Sequence, residues 1–282
     1  MTPLDTPGWE PPRRLDGRLR VLTWNLWWRY GPWEARQPAI LEHLRRIDAD
    51  VICLQEVWET RDGKSQARDL ADALGYEHVY AAGLGLDLAS ESIGNAVLAR
   101  WPITGSESCA LPAPADRNEL RVAIRADVDG PRGAIEVFTT HLNWRLDQSA
   151  VRQQQVRALA EFVASSKARR TYPPVLCGDF NADPEADEIR MLTGATAPPV
   201  DKLVFLDAWR SGGDGTPGYT WSHDNPYTVV DPEPERRLDY VFVGYARDEG
   251  AGEPVHCVVE GVEPIGGVHP SDHYAVLAEL RY

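Results

Sequence analysis

PVLCGDFNADP, residues 174–184, changes character at a single residue. Val175 to Cys177 is a short apolar run of the kind that forms a buried strand, and Gly178 ends it. Directly after that glycine stand a carboxylate and an amide, Asp179 and Asn181, two positions apart. In an extended segment that spacing points both side chains the same way; the competing reading is an Asx turn. A polar group at the end of a buried strand is costly unless something bonds to it. One such end is ordinary, but the pattern recurs along this chain. Asn25 ends RVLTWN, Glu56 ends VICLQE and His141 ends EVFTTH, while Asp239 opens LDYVFV after two arginines, and Asp272 and His273 precede YAVLAEL.

Working outward, the segments between these ends alternate in type. RVLTWNL, ADVICLQEV, EHVYAA, NAVLAR, RVAIRADV, AIEVFTTHL, LDYVFV and YAVLAEL read as strands. Pro38 to Ile47 carries apolar residues at helical spacing, Arg68 to Leu74 reads as a helix stopped by Gly75, Val151 to Val163 is a helical stripe, and Asp187 to Leu192 is a short helix. The two halves share a strand, helix, strand rhythm. Runs of strands without intervening helices favour two stacked, mostly antiparallel mixed sheets flanked by helices over a doubly wound parallel sheet. Residues 1–18 read as a loose lead-in and 19–282 as one domain, because no linker-like stretch separates the halves.

Composition narrows the function. At 282 residues, with 43% hydrophobic and 26% charged residues and a mean hydropathy of −0.38, the chain has a globular profile. No apolar run approaches the roughly 20 residues of a membrane span. The N-terminal segment has no apolar core of a secretory signal, which places the expected location in the cytoplasm. A net charge of −14, with Lys64, Lys167 and Lys202 the only lysines, is the wrong sign for coating duplex nucleic acid. Arginines such as Arg29, Arg36, Arg121, Arg145 and Arg237 remain to meet an anionic substrate. Cys53, Cys109, Cys177 and Cys257 form no CxxC pair and read as reduced core residues, neither zinc site nor disulfide frame.

The blocks TWN, LQEVW, GNAVLAR, TTHLNW, GDFNADP, RLDYVFV and SDHYAV, in this order from Val21 to Leu280, resemble those of the endonuclease/exonuclease/phosphatase superfamily. This metal-dependent fold is shared by pancreatic deoxyribonuclease, abasic-site endonucleases, inositol-polyphosphate 5-phosphatases, neutral sphingomyelinases and nocturnin-like deadenylases. GDFNADP with the downstream YTW looks closer to the deadenylase-like and bacterial branches than to the DNA-repair branch. The resemblance implies a four-layer α/β sandwich with its site at one edge of the two sheets. It implies a metal at Asn25 and Glu56 with Asp272 nearby, and catalytic roles for His141, Asp179, Asn181, Asp239 and His273. Asp179 is expected to orient or deprotonate the attacking water, Asn181 to hold a phosphate oxygen, and His273, fixed by Asp239, to hold the phosphoryl oxygen. His141 is expected to serve as leaving-group acid or transition-state donor.

The chemistry agrees with the residue types. Phosphoester hydrolysis needs charge neutralisation, an activated water and a protonated leaving group. Hard oxygen donors suit Mg²⁺, with Mn²⁺ able to substitute, and the lack of a His/Cys ligand cluster speaks against zinc. A carboxylate behind an imidazole sets its tautomer and favours its charged form. One departure stands out: Trp27 occupies the place where the DNA-repair branch has a second acid. With Trp144 and Trp221 it suggests an aromatic-walled pocket, and Asn95, Arg145 and Arg237 complete the expected substrate contacts. His223 is a weaker candidate, and His43, His78, His256 and His269 read as surface or core residues. The leading expectation is therefore a Mg²⁺-dependent hydrolase of a small or single-stranded phosphoester that binds duplex DNA weakly. A DNA or RNA nuclease is the first alternative and a non-catalytic binding domain a remote second.

Overall fold

Alternating apolar residues along the strands leave two faces to cover, and the chain covers them with two sheets and two helical layers. The computed structural model describes residues 14–83, 91–114, 119–166 and 171–282. In chain order the first elements are β1 (Arg18–Asn25), α1 (Trp33–Ile47), β2 (Val51–Thr60), α2 (Gln66–Leu74), β3 (Glu77–Gly83), β4 (Glu91–Ala99), β5 (Ile103–Ala110), β6 (Val122–Gly130) and β7 (Gly133–His141). They are followed by α3 (Ser149–Ser165), β8 (Val175–Asp179), α4 (Asp187–Thr193), β9 (Phe205–Asp207), α5 (Ala208–Gly212), β10 (Asp239–Gly244), β11 (Pro254–Glu260) and β12 (Ala275–Arg281).

The first sheet has the order β11-β12-β1-β2-β4-β3 and the second β5-β6-β7-β8-β10-β9. Each holds one parallel pair, β1 with β2 and β7 with β8, and every other pairing is antiparallel. In both cases a helix, α1 or α3, makes the crossover. The repeated rhythm in the sequence is thus a repeated βαβ unit, one per sheet. Val21, Cys53, Val97, Ala126, Val137, Cys177, Val241 and Ala278 belong to the core between the sheets. Ile40, Leu44 and Leu70 cover the outer face of the first sheet, and Val156, Leu159, Ile189 and Leu192 that of the second. The order is helix, sheet, sheet, helix, the four-layer sandwich expected.

Strands β5, β9 and β11 were not evident from apolar patterning, β9 (Phe205–Asp207) being only three residues long. β5, ITGSESCA, is a largely exposed edge strand, so water selects polar residues for it. β11 closes the opposite sheet and carries a bulge between Pro254 and His256. The helix expected at Arg68 begins at Gln66, capped by the Ser65 hydroxyl, and ends at Gly75 in the left-handed conformation (φ 71°). Most of the expected lead-in, residues 1–13, lies outside the described residues. Leu15 is already tied to the fold, its N–H donating to the Glu249 carbonyl at 3.0 Å. All four cysteines are free thiols; Cys53, Cys177 and Cys257 are buried as expected, whereas Cys109, on the edge strand β5, is only partly buried and not a core residue. No described helix is long and apolar enough to cross a membrane.

Candidate active site

The carboxyl ends of the two parallel pairs face the same edge of the sandwich, the place where α/β sheets bind ligands. Asn25 ends β1, His141 ends β7 and Asp179 ends β8. In the second sheet Asp179 lies in register with His141 on one side and Asp239 on the other, so three adjacent strands present three polar groups in a row. Gly178 permits this approach: a Cβ there would lie 2.1 Å from the Thr140 carbonyl oxygen. Two sequence readings are corrected. Glu56 does not end its strand; it sits within β2 at a register shift between Leu54 and Val57, with φ 54°, a bulge that turns its side chain toward the site. Asn181 is not extended either. At φ 49° its N–H donates to Asp179 Oδ1 at 2.9 Å, the Asx turn, and both side chains nevertheless reach the same pocket.

Asp179 is the hub. Asn25 Nδ2 donates to its Oδ2 at 3.0 Å, and the same oxygen lies 3.5 Å from His141 Nε2 and 3.8 Å from His273 Nε2. His273 Nδ1 bonds Asp239 Oδ2 at 2.8 Å, and Asn181 Nδ2 donates to the Leu142 carbonyl. Two residues the motifs did not single out hold this frame. The Ser271 hydroxyl donates to the Asn25 carbonyl at 2.7 Å and accepts from His273 N–H, tying the segment before β12 to the end of β1. The Thr220 hydroxyl accepts from the N–H groups of Leu238 and Asp239. Beneath them Gln55 spans the sandwich: its amide donates to Thr23 in the first sheet at 3.1 Å and to Thr139 in the second at 3.0 Å.

The buried groups take distinct charge states. Burial alone would push His273 down, but Asp239 and Asp179 outweigh it and raise its pKa to about 10, so it stands as an imidazolium. Burial, reinforced by Arg121 and His273, lowers His141 to about 3, so it is a neutral imidazole. Asp179 is buried, yet His141, His273, Asn25 and Asn181 together pull it below the ordinary carboxylate range. Glu56 is raised, first by burial, and Asp272 is raised to about 7 by burial and the nearby Glu56. The site thus holds a committed carboxylate, a cationic donor, a neutral donor and two acids raised chiefly by burial.

The pocket, about 410 Å³, is lined by Asn25, Trp27, Glu56, His141, Trp144, Asp179, Asn181, Trp221, Asp272 and His273, together with Tyr30, Arg121, Asp231, Glu233 and Arg236. Three expected substrate contacts are elsewhere. Arg237 is buried and bonds Asp207 through both terminal nitrogens, so the neighbouring Arg236 faces the pocket instead. Asn95 donates to the Val122 carbonyl, and Arg145 lies over the Trp144 ring, its guanidinium carbon 4.9 Å from the centroid. His223 bonds the Glu233 carbonyl and is not among the lining residues. Tyr30, Arg121 and Arg236 carried no motif that marked them as lining, although Arg121 stood among the arginines available to an anion.

Across residues 22–273 the chain matches the family model described as Endonuclease/Exonuclease/phosphatase family. The chain belongs to that family. Members of the endonuclease/exonuclease/phosphatase family are phosphoester hydrolases that depend on divalent metals. Protein angel homolog 2 of Mus musculus is 29% identical over 161 residues, 54% of this chain and 29% of that protein, so the chain spans less than a third of this relative's length. A solved endonuclease/exonuclease/phosphatase from Beutenbergia cavernae is 26% identical, covers 94% of this chain and 71% of its own, and superposes with a TM-score of 0.73. TDP2 of D. rerio, solved with a single-strand DNA product, shares the fold at a TM-score of 0.75 and 20% identity, covering 95% of this chain and all of its own.

A divalent metal fits the residues of this family member. Glu56 Oε2 is buried with no hydrogen-bond partner, and Asp272, raised by burial and by Glu56, lies beside it on the pocket wall, so two hard oxygen donors stand where a cation could use them. Asp179, Asp239 and His273 also bring ligand atoms within 4.8 Å of one another. That group suits a cation less well, because His273 has its proton held by two carboxylates and an imidazolium has no lone pair to give. Asn25 has both ends engaged, Oδ1 accepting from Trp27 N–H at 2.9 Å and Nδ2 donating to Asp179.

Proposed function

We propose that the protein hydrolyses a phosphoester bond in a compact or single-stranded substrate, with Mg²⁺, or Mn²⁺ in its place, held by Glu56 and Asp272. The observation that carries this reading is the ionised Asp179, bonded by Asn25 and Asn181 and flanked by two imidazoles in opposite charge states, next to Glu56 with its unpartnered Oε2 and Asp272. When bound, the cation supplies charge neutralisation for the phosphoryl oxygens and the incoming water.

The chain's own groups divide the remaining work. Asp179, held below the ordinary range, is a weak base and a firm acceptor, so it orients the attacking water more than it deprotonates it. His273 offers a charged N–H to a phosphoryl oxygen, where a preorganised donor is worth most as negative charge develops. Asp239 holds the proton on that ring, and Asn181 supplies a neutral amide to the same oxygens. His141, kept neutral, acts as a transition-state donor through one N–H, not as a strong acid. Asn25 positions Asp179; the metal-ligand role implied by resemblance would have to use the remaining lone pair of its Oδ1.

Substrate class follows from field and shape. A chain of net charge −14 repels a polyanion, and Arg121 and Arg236 on the pocket wall are each already paired with a glutamate. Trp27, Tyr30, Trp144 and Trp221 favour an ester that presents a ring beside one phosphate. A single-stranded nucleic acid meets the same demand, and the zebrafish fold neighbour carries a single-strand DNA product. The test is a Mg²⁺-supplemented panel of nucleotides, dinucleotides, inositol phosphates, phospholipid headgroups, single-stranded RNA and plasmid DNA, with and without chelator. Chelator-sensitive turnover of the compact or single-stranded members supports the reading. Efficient plasmid nicking with no small-ester hydrolysis overturns the substrate class, and no turnover of any member overturns the enzyme.

A further inference from the structure

The two βαβ units match in more than topology. Arg36 is the fourth residue of α1 and Arg152 the fourth of α3. Both are buried, and both reach back to the loop that leads into their own helix. Arg36 Nη1 donates to the Leu26 and Pro270 carbonyls at 2.8 Å each, and Nη2 to the carbonyls of Trp27, Trp28 and Tyr30 at 2.9, 3.0 and 3.1 Å. Arg152 Nη1 donates to the carbonyls of Asn143 and Arg145 at 3.1 and 2.7 Å, the two residues flanking Trp144, while its Nε pairs with the buried Glu188.

Each arginine therefore holds a loop that follows a catalytic strand, and each loop delivers aromatic rings to the pocket. The loop after β1 brings Trp27 and Tyr30; the loop after β7 brings Trp144. These loops are not held by their own preferences. Trp27 and Trp28 sit at positive φ, 55° and 34°, a conformation that a bulky side chain does not keep unless its surroundings impose it. Arg36 imposes it by gathering carbonyls that would otherwise point apart, and its guanidinium carbon lies 4.9 Å from the Trp27 ring centroid. The Trp27 ring also packs against that of Tyr227, with centroids 4.6 Å apart. The outer ends of the two jaws are open to solvent: Tyr30 and Trp144 are each 45% exposed.

We propose that Arg36 and Arg152 are a matched pair of positioning residues that hold Trp27 with Tyr30, and Trp144, as two jaws closing on a planar ring attached to the substrate phosphate. The inference rests on the phosphoesterase reading and deepens it by assigning the ring its place and its supports. Neither arginine touches the substrate. Arg36 also bonds the Pro270 carbonyl, two residues before Asp272, so one guanidinium ties the first jaw to the acidic side of the site; Arg152 makes no such connection.

Calorimetric titration of the full chain in Mg²⁺ with adenosine 5′-monophosphate, phenyl phosphate and inorganic phosphate tests the pair, the first two ligands distinguishing a nucleobase from a simple aryl ring. Trp144→Ala and Arg152→Gln should each weaken the ring-bearing ligand by about tenfold, the size of one lost ring stack, and leave inorganic phosphate within about twofold. The double variant should lose no more than either single, because both changes remove the same ring contact. Arg36→Lys, which keeps the charge but cannot reach five carbonyls, should weaken ring binding and lower kcat together, whereas Arg152→Gln should leave kcat nearly intact. Additive losses in the double variant, or an equal loss for phosphate and ring, overturn the proposal by assigning Arg152 a general structural role. If Arg152→Gln does not fold, the Trp144→Ala and Arg36→Lys arms decide alone. A wild type that hydrolyses esters but binds phosphate as tightly as both ring-bearing ligands removes the jaws and leaves the hydrolase; one that hydrolyses none removes the hydrolase reading itself.

Discussion

Replacing Asn25 by alanine separates positioning from metal ligation. In the structure its Nδ2 donates to Asp179 Oδ2 at 3.0 Å and its Oδ1 accepts from Trp27 N–H at 2.9 Å. A buried hydrogen bond to a charged acceptor contributes about 1.5–3 kcal/mol, so Asn25→Ala should lower kcat by roughly 10- to 150-fold while Asp179 loses its orientation. The Mg²⁺ concentration for half-maximal rate should move far less than kcat, because the Glu56 and Asp272 carboxylates are both still present. Asn25→Asp should be worse than alanine despite adding a hard donor, since a second carboxylate would sit about 4 Å or less from Asp179, where like charges repel by about 4 kcal/mol at a near-surface dielectric. Rates measured across a Mg²⁺ series at fixed substrate give both quantities. If Asn25→Ala regains the wild-type rate at high Mg²⁺, or if Asn25→Asp binds Mg²⁺ more tightly and stays active, then Asn25 is a ligand and the geometry has been misread.

Glu56→Gln should remove most metal-supported turnover while leaving the thermal midpoint near that of the parent, and undiminished activity would end the metal assignment. Asp179→Asn and His273→Gln should each cost on the order of 10²-fold or more, and together far less than the product, since they serve one transition state; strictly multiplicative losses would place them in separate steps. His141 also makes a pH prediction. Its folded pKa of about 3 lies below the ordinary 6.5, so the unfolded chain binds the extra proton and stability should fall as pH drops from about 6.5 toward 3, less steeply in His141→Gln. Superimposable acid limbs by circular dichroism would show that this ring is not buried as a neutral base. At roughly physiological ionic strength, near 0.15 M salt, an aryl phosphoester should be cleaved faster than plasmid DNA, and the reverse order would mean that local arginines override the net charge.

Much of this architecture was legible because buried strands advertise themselves. RVLTWN and EVFTTH announce both a strand and its polar end, VICLQE announces its strand, and the amphipathic Val151–Val163 segment announces the helix between β7 and β8. What stayed hidden depends on partners distant in sequence. Arg36 and Arg152 look like ordinary solvent-facing helix residues, since no local pattern tells that carbonyls will gather around them. Arg237 looked as available as Arg236; only the position of Asp207, thirty residues earlier, decides between them. The bulge at Glu56 was invisible for a similar reason, because a register shift belongs to the pairing of β2 with β4 and not to β2 alone. Charge states were likewise beyond reach: His141 and His273 are the same residue type after similar apolar runs, and their opposite protonation comes from which carboxylates surround each ring.

The Gln55 bridge lies where the halves of the site meet, and it turns the thickness of the sandwich into a chemical dimension. Asn25 and Glu56 belong to the first sheet, with Asp272 just before its strand β12, and His141, Asp179 and Asp239 belong to the second, so the gap between them is set by layers stacked about 10 Å apart. The spacers are apolar side chains such as Val21, Cys53, Ala126 and Val137, none of which lines the pocket. Enlarging a seam side chain by two carbons, as in Ala126→Val, need not unfold a chain this well packed. It would still slide one half of the chemistry against the other, where a misplacement of about 1 Å can cost 10²-fold. The apolar interior thus acts as a gauge block, and evolution can retune the reaction rate there without altering a single residue that the substrate meets.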